Sequence, residues 1–195
     1  MSAEDDPFKR FEVWLKEATE AGHLQPEAMA LTTSTLEGKA TSRMVLFKGF
    51  INKAFTFHTN YESRKSKELL TNPQATLLFF WEKINKQIRV EGFAEKLSDA
   101  DSDTYWKTRT RESRIGAWAS KQSHPLQSRA ELEASVQKIT KQFEGTKDIP
   151  RPDFWGGFRL IPNKIEFWSA KSARLHEREL FAKKGSSWER SFLYP

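Results

Sequence analysis

Cysteine is absent from the 195 residues, so disulfides, thiolate metal sites and a cysteine nucleophile are excluded. No apolar run approaches the roughly 18 residues that suggest a membrane-spanning helix. The opening Met1-Ser2-Ala3-Glu4-Asp5-Asp6 is acidic and lacks the apolar centre of a signal peptide. The expectation is a soluble, cytoplasmic protein with no membrane partner. Glycine signatures for nucleotides are missing too: there is no G-x-G-x-x-G and no P-loop, so a nucleotide must be held without those turns. His23, His58, His124 and His176 stand at no metal-ligand spacing, and neither H-E-x-x-H nor a G-x-S-x-G elbow occurs, so no metal is expected.

Aromatic residues are abundant, with 15 Phe and 7 Trp beside 37% hydrophobic and 30% charged residues. This is the composition of a folded protein with an aromatic core. Many rings also suit a flat ligand, although aromatics are ordinary core material. The length fits one domain. A net charge of +6 and a pI near 9.5 permit either nucleic acid or an anionic small molecule as partner. The basic residues are interleaved with Glu and Asp rather than gathered in a continuous patch, which argues against nucleic acid.

Along the chain, Asp6-Pro7 puts an N-cap before proline at the first helical position, and Phe8, Phe11, Trp14, Leu15 and Ala18 form an apolar stripe that Gly22 ends. Short β-rich runs follow at 29–35, 41–49, 54–59, 75–81 and 87–93, with hairpin links at Glu37-Gly38 and Asn52-Lys53. Such spacing predicts an antiparallel meander closed into a barrel. Helices are predicted from Ser63 to Leu70, after Ser98, and after the capping box Ser128-Arg129-Ala130-Glu131. Strands return at 154–161, 164–170, 174–181 and 188–193, with Pro162-Asn163 and Lys184-Gly185 as turns, and Gly156-Gly157 suggests a bulge or a close backbone approach. The fold class is α+β: one domain over 1–195, an antiparallel barrel with peripheral helices, and residues 1–6 as a flexible tail.

Three places carry candidate chemistry. If Ala173-Arg174-Leu175-His176-Glu177-Arg178 is extended, Arg174, His176 and Arg178 share one face, which fits an anionic or electron-rich ligand or else a solvated edge strand. Arg64 and Lys65 sit in the first turn of a helix, where the dipole favours anions. A bound phosphate would resolve that conflict, unless the two simply face water. Tyr105 and Arg109, four apart, converge in a way that suits a phosphate, and equally a Tyr packed on an Arg stem.

Six segments, in order, resemble the pyridoxamine 5′-phosphate oxidase family of FMN enzymes with a split-barrel fold, from about Pro7 to the C-terminus. They are Arg43-Met44-Val45-Leu46-Phe47-Lys48, Ser63-Arg64-Lys65, Gly116-Ala117-Trp118 with Ser120-Lys121-Gln122-Ser123, Phe154-Trp155-Gly156-Gly157-Phe158-Arg159, Ile165-Glu166-Phe167-Trp168 and Arg174-Leu175-His176-Glu177-Arg178. The resemblance implies FMN contacts from Arg43, Met44, Val45, Leu46, Phe47, Lys48, His58, Thr59, Arg64, Lys65, Gln87, Gln122, Ser123, Trp168 and Arg178. It implies that Lys48, Tyr105, Arg109 and Ser113 hold a substrate phosphate, with Arg174, Leu175 and His176 at the pyridine ring and Arg174 and His176 as the catalytic pair.

The implied reaction oxidises pyridoxine or pyridoxamine 5′-phosphate to pyridoxal 5′-phosphate, by hydride transfer from C4′ to the flavin and reoxidation by dioxygen to hydrogen peroxide. The implied assembly is a homodimer with FMN at the subunit interface. Three positions depart from the family pattern: His58 where Tyr is frequent, Glu177 where Asp is usual, and Phe192 where an Arg commonly precedes Leu. A non-catalytic flavin or pyridoxal-phosphate binding protein stays open as an alternative, since it would need Arg64, Lys65 and Ser123 but not Arg174 and His176 together.

Overall fold

The structure, a computed structural model, describes residues 6–195. Asp6 accepts a hydrogen bond from the Phe8 N–H at 2.9 Å and caps helix α1 (Pro7–Glu20), so it belongs to the fold rather than to the expected tail, the rest of which lies outside the described residues. The predicted stripe is buried: Phe8, Phe11, Trp14 and Ala18 face inward. Phe11 meets Phe47, Phe50, Phe55 and Phe79 edge-on, with centroids 4.9–5.5 Å apart. Each such pair adds about 0.5–1.5 kcal/mol beyond the area it buries.

Among the described residues are nine strands, of which β3 is not expected from the sequence and β7 joins two that are expected separately: β1 (Ala28–Ser34), β2 (Ala40–Leu46), β3 (Phe50–Ile51), β4 (Ala54–Asn60), β5 (Gln74–Trp81), β6 (Lys86–Lys96), β7 (Trp155–Ser169), β8 (Glu177–Lys184) and β9 (Ser187–Phe192). All pairings are antiparallel, in the order β2-β1-β5-β6-β7-β4-β3, with β8 on β7 and β9 on β8. Strand pairing does not close the ring. Beyond β2, however, the Lys48 N–H donates to the Thr56 carbonyl at 2.9 Å, and the Thr56 N–H donates to the Gly49 carbonyl at 3.0 Å. The end of β2 is thus laced to β4 while the rest stays apart, which makes the barrel a split one. Asn52 and Lys53, at φ 51° and 56°, form the tight turn that returns the chain from β3 into β4.

Two sequence expectations fail here, each for a local reason. Pro162-Asn163 is not a turn, because β7 runs for 15 residues through it. The register of β6 against β7 shifts between Glu91 and Gly92, opposite Pro162, which has no N–H to offer the ladder. Gly92 is required there, since a Cβ would collide with the Ile161 carbonyl. The irregularity lets one strand serve two partners, β4 along 155–160 and β8 along 164–169. The second failure is the strand predicted from Arg174. Residues Ser172–Arg174 form a 3-10 turn with Ala173 and Arg174 in the left-handed region, at φ 54° and 61°, so pairing starts only at Glu177.

The helices α2 (Arg64–Thr71), α3 (Asp99–Thr108), α4 (Arg111–Ala119) and α5 (Arg129–Gln142) lie outside the sheet. The single helix expected after Ser98 is two, because Thr110 stops α3 from continuing and caps α4 through the Ser113 N–H. Trp106, Ile115, Phe143, Ile149 and Trp155 form a second apolar cluster that fastens this layer to the start of β7. Gly156 and Gly157 keep regular pairing with Thr59 and His58 and form no bulge. They allow close approach instead: Cβ atoms there would strike Tyr61 and Leu97. Among the described residues, no helix is long and apolar enough to cross a membrane.

Candidate functional site

At the split between β2 and β4 lies a cavity of about 220 Å³ lined by Met44, Val45, Leu46, Lys48, His58, Thr59, Lys65, Tyr105, Arg109 and Gln122. Every one of these is a residue singled out from the sequence, and the lining holds three cations and no carboxylate among the described residues. Lys48 lies just past β2, His58 and Thr59 on β4, Lys65 in the first turn of α2, and Tyr105 and Arg109 at the end of α3. Larger hollows of about 640 Å³ beside α5 and about 800 Å³ near the β8–β9 hairpin contain none of the predicted site residues, whereas one of about 310 Å³ under the turn after α4 is lined by Gln122 and Ser123.

Lys65 is 7% exposed, and its ammonium donates to Gln122 Oε1 at 2.8 Å, Thr59 Oγ1 at 3.0 Å and Ser63 Oγ at 3.1 Å. All three acceptors are neutral. Burial, together with nearby Arg43, pushes this lysine down to about 8. A buried cation without a carboxylate is costly unless an anion joins it. His58 is stacked on Tyr105 at 3.8 Å, and both of its ring nitrogens are buried without a hydrogen-bond partner. Burial first, then Arg109 and Lys48, lower its pKa to about 4, so the imidazole is neutral near pH 7. The Arg109 guanidinium lies over the Trp155 ring at 4.5 Å and donates to the Ser113 carbonyl at 2.8 Å, which brings Ser113 beside the cavity though not into its lining.

The other cations are organised by carboxylates that sequence reasoning passed over. Glu68, 6% exposed, accepts from Arg64 Nε at 2.9 Å, Thr41 Oγ1 at 2.8 Å and Thr33 Oγ1, with Arg43 Nη2 at 3.4 Å. The Ser63 hydroxyl makes no capping bond, and of the two cations at the start of α2, Glu68, four residues after Arg64, answers that arginine alone, leaving Lys65 on its neutral partners. That spacing was readable in the sequence. Phe47 is buried in the aromatic core and does not line the cavity, and Ser123 is an exposed residue at φ 69° in the turn after α4.

A second group forms elsewhere. Cross-strand register aligns Phe80, Gln87, Trp168 and Arg178 in one row across β5, β6, β7 and β8. Its neighbouring row runs Met44, Ala30, Leu78, Arg89, Glu166. Met44 and Phe80 are 63% and 56% exposed, so this outer face presents large apolar side chains to solvent beside the Arg89–Glu166–Arg178 ion pairs. Arg178 is held by Glu166 at 2.8 Å and by the Tyr194 carbonyl at 3.0 Å, while Arg89 holds the other Glu166 oxygen at 2.5 Å.

Beside the row, the 172–176 turn carries Arg174, Leu175 and His176. The turn removes the shared basic face expected of an extended strand. His176 packs on Trp168 at 4.7 Å, and its Nδ1 accepts the Lys171 N–H at 3.2 Å, which places the imidazole proton of the neutral ring on Nε2 as a free donor. Glu177 pairs with Lys171 at 3.2 Å, and Phe192 is exposed with the Arg190 guanidinium 5.3 Å above it. None of Gln87, Trp168, Arg174, His176 and Arg178 lines the cavity of the same chain.

A family described as pyridoxamine 5′-phosphate oxidase matches residues 15–143, and one described as pyridoxine 5′-phosphate oxidase C-terminal dimerisation region matches residues 155–195. The pyridoxine/pyridoxamine 5′-phosphate oxidase of Rubrobacter xylanophilus is 47% identical over 193 residues, covering 99% of this chain and 88% of its own. That of Zymomonas mobilis is 48% identical over 190 residues, with 97% and 98% covered. Among solved structures, PhzG from Burkholderia lata 383, in complex with tetrahydrophenazine-1-carboxylic acid, has a TM-score of 0.92 at 32% identity, with 98% and 93% of the two chains covered. A pyridoxamine 5′-phosphate oxidase-related, FMN-binding protein from Nostoc punctiforme shares the fold, with a TM-score of 0.78 at 15% identity over 97% and 98%.

Proposed function

The chain belongs to the pyridoxamine 5′-phosphate oxidase family, and we infer from that premise that it oxidises pyridoxine 5′-phosphate or pyridoxamine 5′-phosphate to pyridoxal 5′-phosphate, using FMN. The observation that carries the reading is the buried Lys65 ammonium on three neutral oxygens, in a cavity shared with Lys48 and Arg109 and lined by no carboxylate among the described residues. Such a donor set fits phosphate. When bound, FMN supplies the two-electron oxidation at C4′, with dioxygen reduced to hydrogen peroxide.

The protein's own groups bind and orient. Arg43, Arg64, Lys65, Gln122 and Ser123 hold the cofactor phosphate; Lys48, Tyr105, Arg109 and Ser113 hold the substrate phosphate. Gln87, Trp168 and Arg178 contact the cofactor from the outer face of the sheet. Arg174 supplies a planar donor fork, and His176 the Nε2–H left free by its bond to Lys171, to fix the substrate's ring and its reacting oxygen or nitrogen. These last five residues lie outside their own chain's cavity. A homodimer, in keeping with the dimerisation-region match over 155–195, brings them to the partner's cavity with FMN between. Residues 1–195 act as a single FMN-binding domain in each copy.

Anaerobic mixing of the purified protein with pyridoxine 5′-phosphate tests the reading. A yellow protein that bleaches, then recovers its colour with oxygen and forms peroxide, is the expected result. A colourless protein that takes up no FMN overturns it, and a yellow one that never bleaches is a flavin-binding protein without this oxidase activity.

A further inference from the structure

His58 stands at a position where a frequent tyrosine could donate one hydrogen bond and stay neutral across the physiological range. The imidazole differs in both respects. Its two ring nitrogens are buried without partners, which is unfavourable for any polar group taken out of water. Rotation offers no relief, because the ring is stacked on Tyr105 at 3.8 Å and lies nearly parallel to Trp155, 5.5 Å away. On its other side a Cβ on Gly157 would stand 3.0 Å from Nε2.

The groups facing the ring are all neutral or positive. Lys48 comes from the end of β2, Tyr105 and Arg109 from the end of α3, and Lys65 from α2 lines the same cavity, while Trp155 and Gly157 of β7 bring no charge. Arg109 and Lys48 both oppose a charge on the ring, and burial opposes it more. A divalent tetrahedral anion between Lys48 and Arg109 reverses this field and offers oxygen acceptors.

We propose that His58 takes up a proton when such an anion enters the cavity and donates a ring N–H to it, so that anion capture at this site is coupled to protonation of the protein. The proposal rests on the cavity's reading as a phosphate site. The sign follows from linkage. The anion raises the histidine's pKa from its value of about 4 in the ligand-free protein, so affinity falls by up to about tenfold per pH unit as pH rises toward the bound-state pKa, and levels off above it.

Sulfate is the probe, since unlike phosphate it does not itself titrate in this range. Its binding to the full-length protein, as isolated with FMN, is measured by calorimetry between about pH 5 and 8, in two buffers of different ionisation heat. The parent is expected to take up a fraction of a proton per sulfate and to lose about 3- to 10-fold in affinity over that range. His58→Phe and His58→Tyr should bind sulfate with that uptake and that slope removed, which separates His58 from Lys65. Should both variants fail to fold, the carbon-13 NMR shift of the His58 ring in the parent carries the test: it must move toward the imidazolium value on sulfate addition near pH 5.5. Equal proton uptake in the variants, an unmoved ring signal, or no sulfate binding by the parent overturns the proposal. A failure of the oxidase reading shows separately, as absent flavin or absent bleaching, while the sulfate measurements still report on His58.

Discussion

At Glu68, burial would raise the carboxyl's pKa, but hydrogen bonds from Thr33, Arg64 and Thr41 outweigh it and hold the group at about 2. Glu68 lies between Arg43 and Arg64, and the same ion-pair geometry recurs at Glu166, between Arg89 and Arg178, and at Glu179, between Arg10 and Arg190. In each triad one carboxylate offsets one of two guanidinium charges and fixes both in place. Because the folded pKa of Glu68 lies below its unfolded value of 4.5, its contribution is present above that pH and is lost as pH falls toward 2. Glu68→Gln should therefore cost about 3–5 kcal/mol at neutral pH. The gap from the parent, read from urea midpoints, should narrow clearly by about pH 3.

Arg174 poses a different question, since its left-handed φ of 61° follows that of Ala173 at 54°, a strain of order 1–3 kcal/mol at each non-glycine position. Strain of this kind holds a side chain where an unstrained loop would not. Arg174→Lys keeps the charge but loses the planar fork, so kcat/KM should drop about 10²-fold, roughly 2.7 kcal/mol, with FMN retained. Steady-state oxidation of pyridoxine 5′-phosphate at saturating FMN measures it, and a rate equal to the parent's would make the turn structural only.

Among the elements, β7 does the most to shape the site. The register shift opposite Gly92 of β6 lets this one strand serve two partners within the single sheet: the β4 half backs the cavity through Gly157 behind His58, and the β8 half carries Trp168 and its neighbour Arg178. Gly92→Ala places a methyl group into the Ile161 carbonyl, against backbone that cannot yield cheaply. It should destabilise by about 2–4 kcal/mol or prevent folding. Gly116, inside α4, is the control, since a Cβ there would meet nothing within 4 Å: Gly116→Ala should stabilise by about 0.5–1 kcal/mol. Chemical denaturation of the two variants side by side checks both signs.

For the whole molecule, the uncovered face bearing Met44 and Phe80 runs into the row that ends at Trp168 and Arg178. Continuity of an exposed apolar face with cofactor-contacting candidates is what a shared site between two copies requires. Phe80→Asp introduces a charge there without touching the core. Sedimentation should show a shift from dimer to monomer, with FMN lost in parallel and far-ultraviolet circular dichroism unchanged. A variant that stays dimeric and yellow would move the interface to another face.

Local signals in the sequence were enough for α1 with its Asp6-Pro7 start, for the strand periods through Trp81 and for α5 behind Ser128, because propensity, capping and period-2 patterning are written in neighbouring residues. Of the cavity residues they marked Lys65, Tyr105 and Arg109, while Met44, Val45, Leu46, Lys48, His58, Thr59 and Gln122 came from the family resemblance. The segments around Arg43, Ser63 and Arg174 also carried the family likeness. Tertiary structure decided what depends on partners distant in the chain. Strand pairing across more than sixty residues, as between β6 and β7, keeps Pro162 inside a strand that local rules would end, since Gly92 opposite absorbs the missing donor. The left-handed turn at Ala173 and Arg174 cancels the basic face that parity predicted, and Glu166 reaches Arg178, and Glu68 reaches Arg43, only once the sheet brings them together. The division of the candidate residues between the cavity and the opposite row could not be read from residue types at all, because it follows from where the barrel splits.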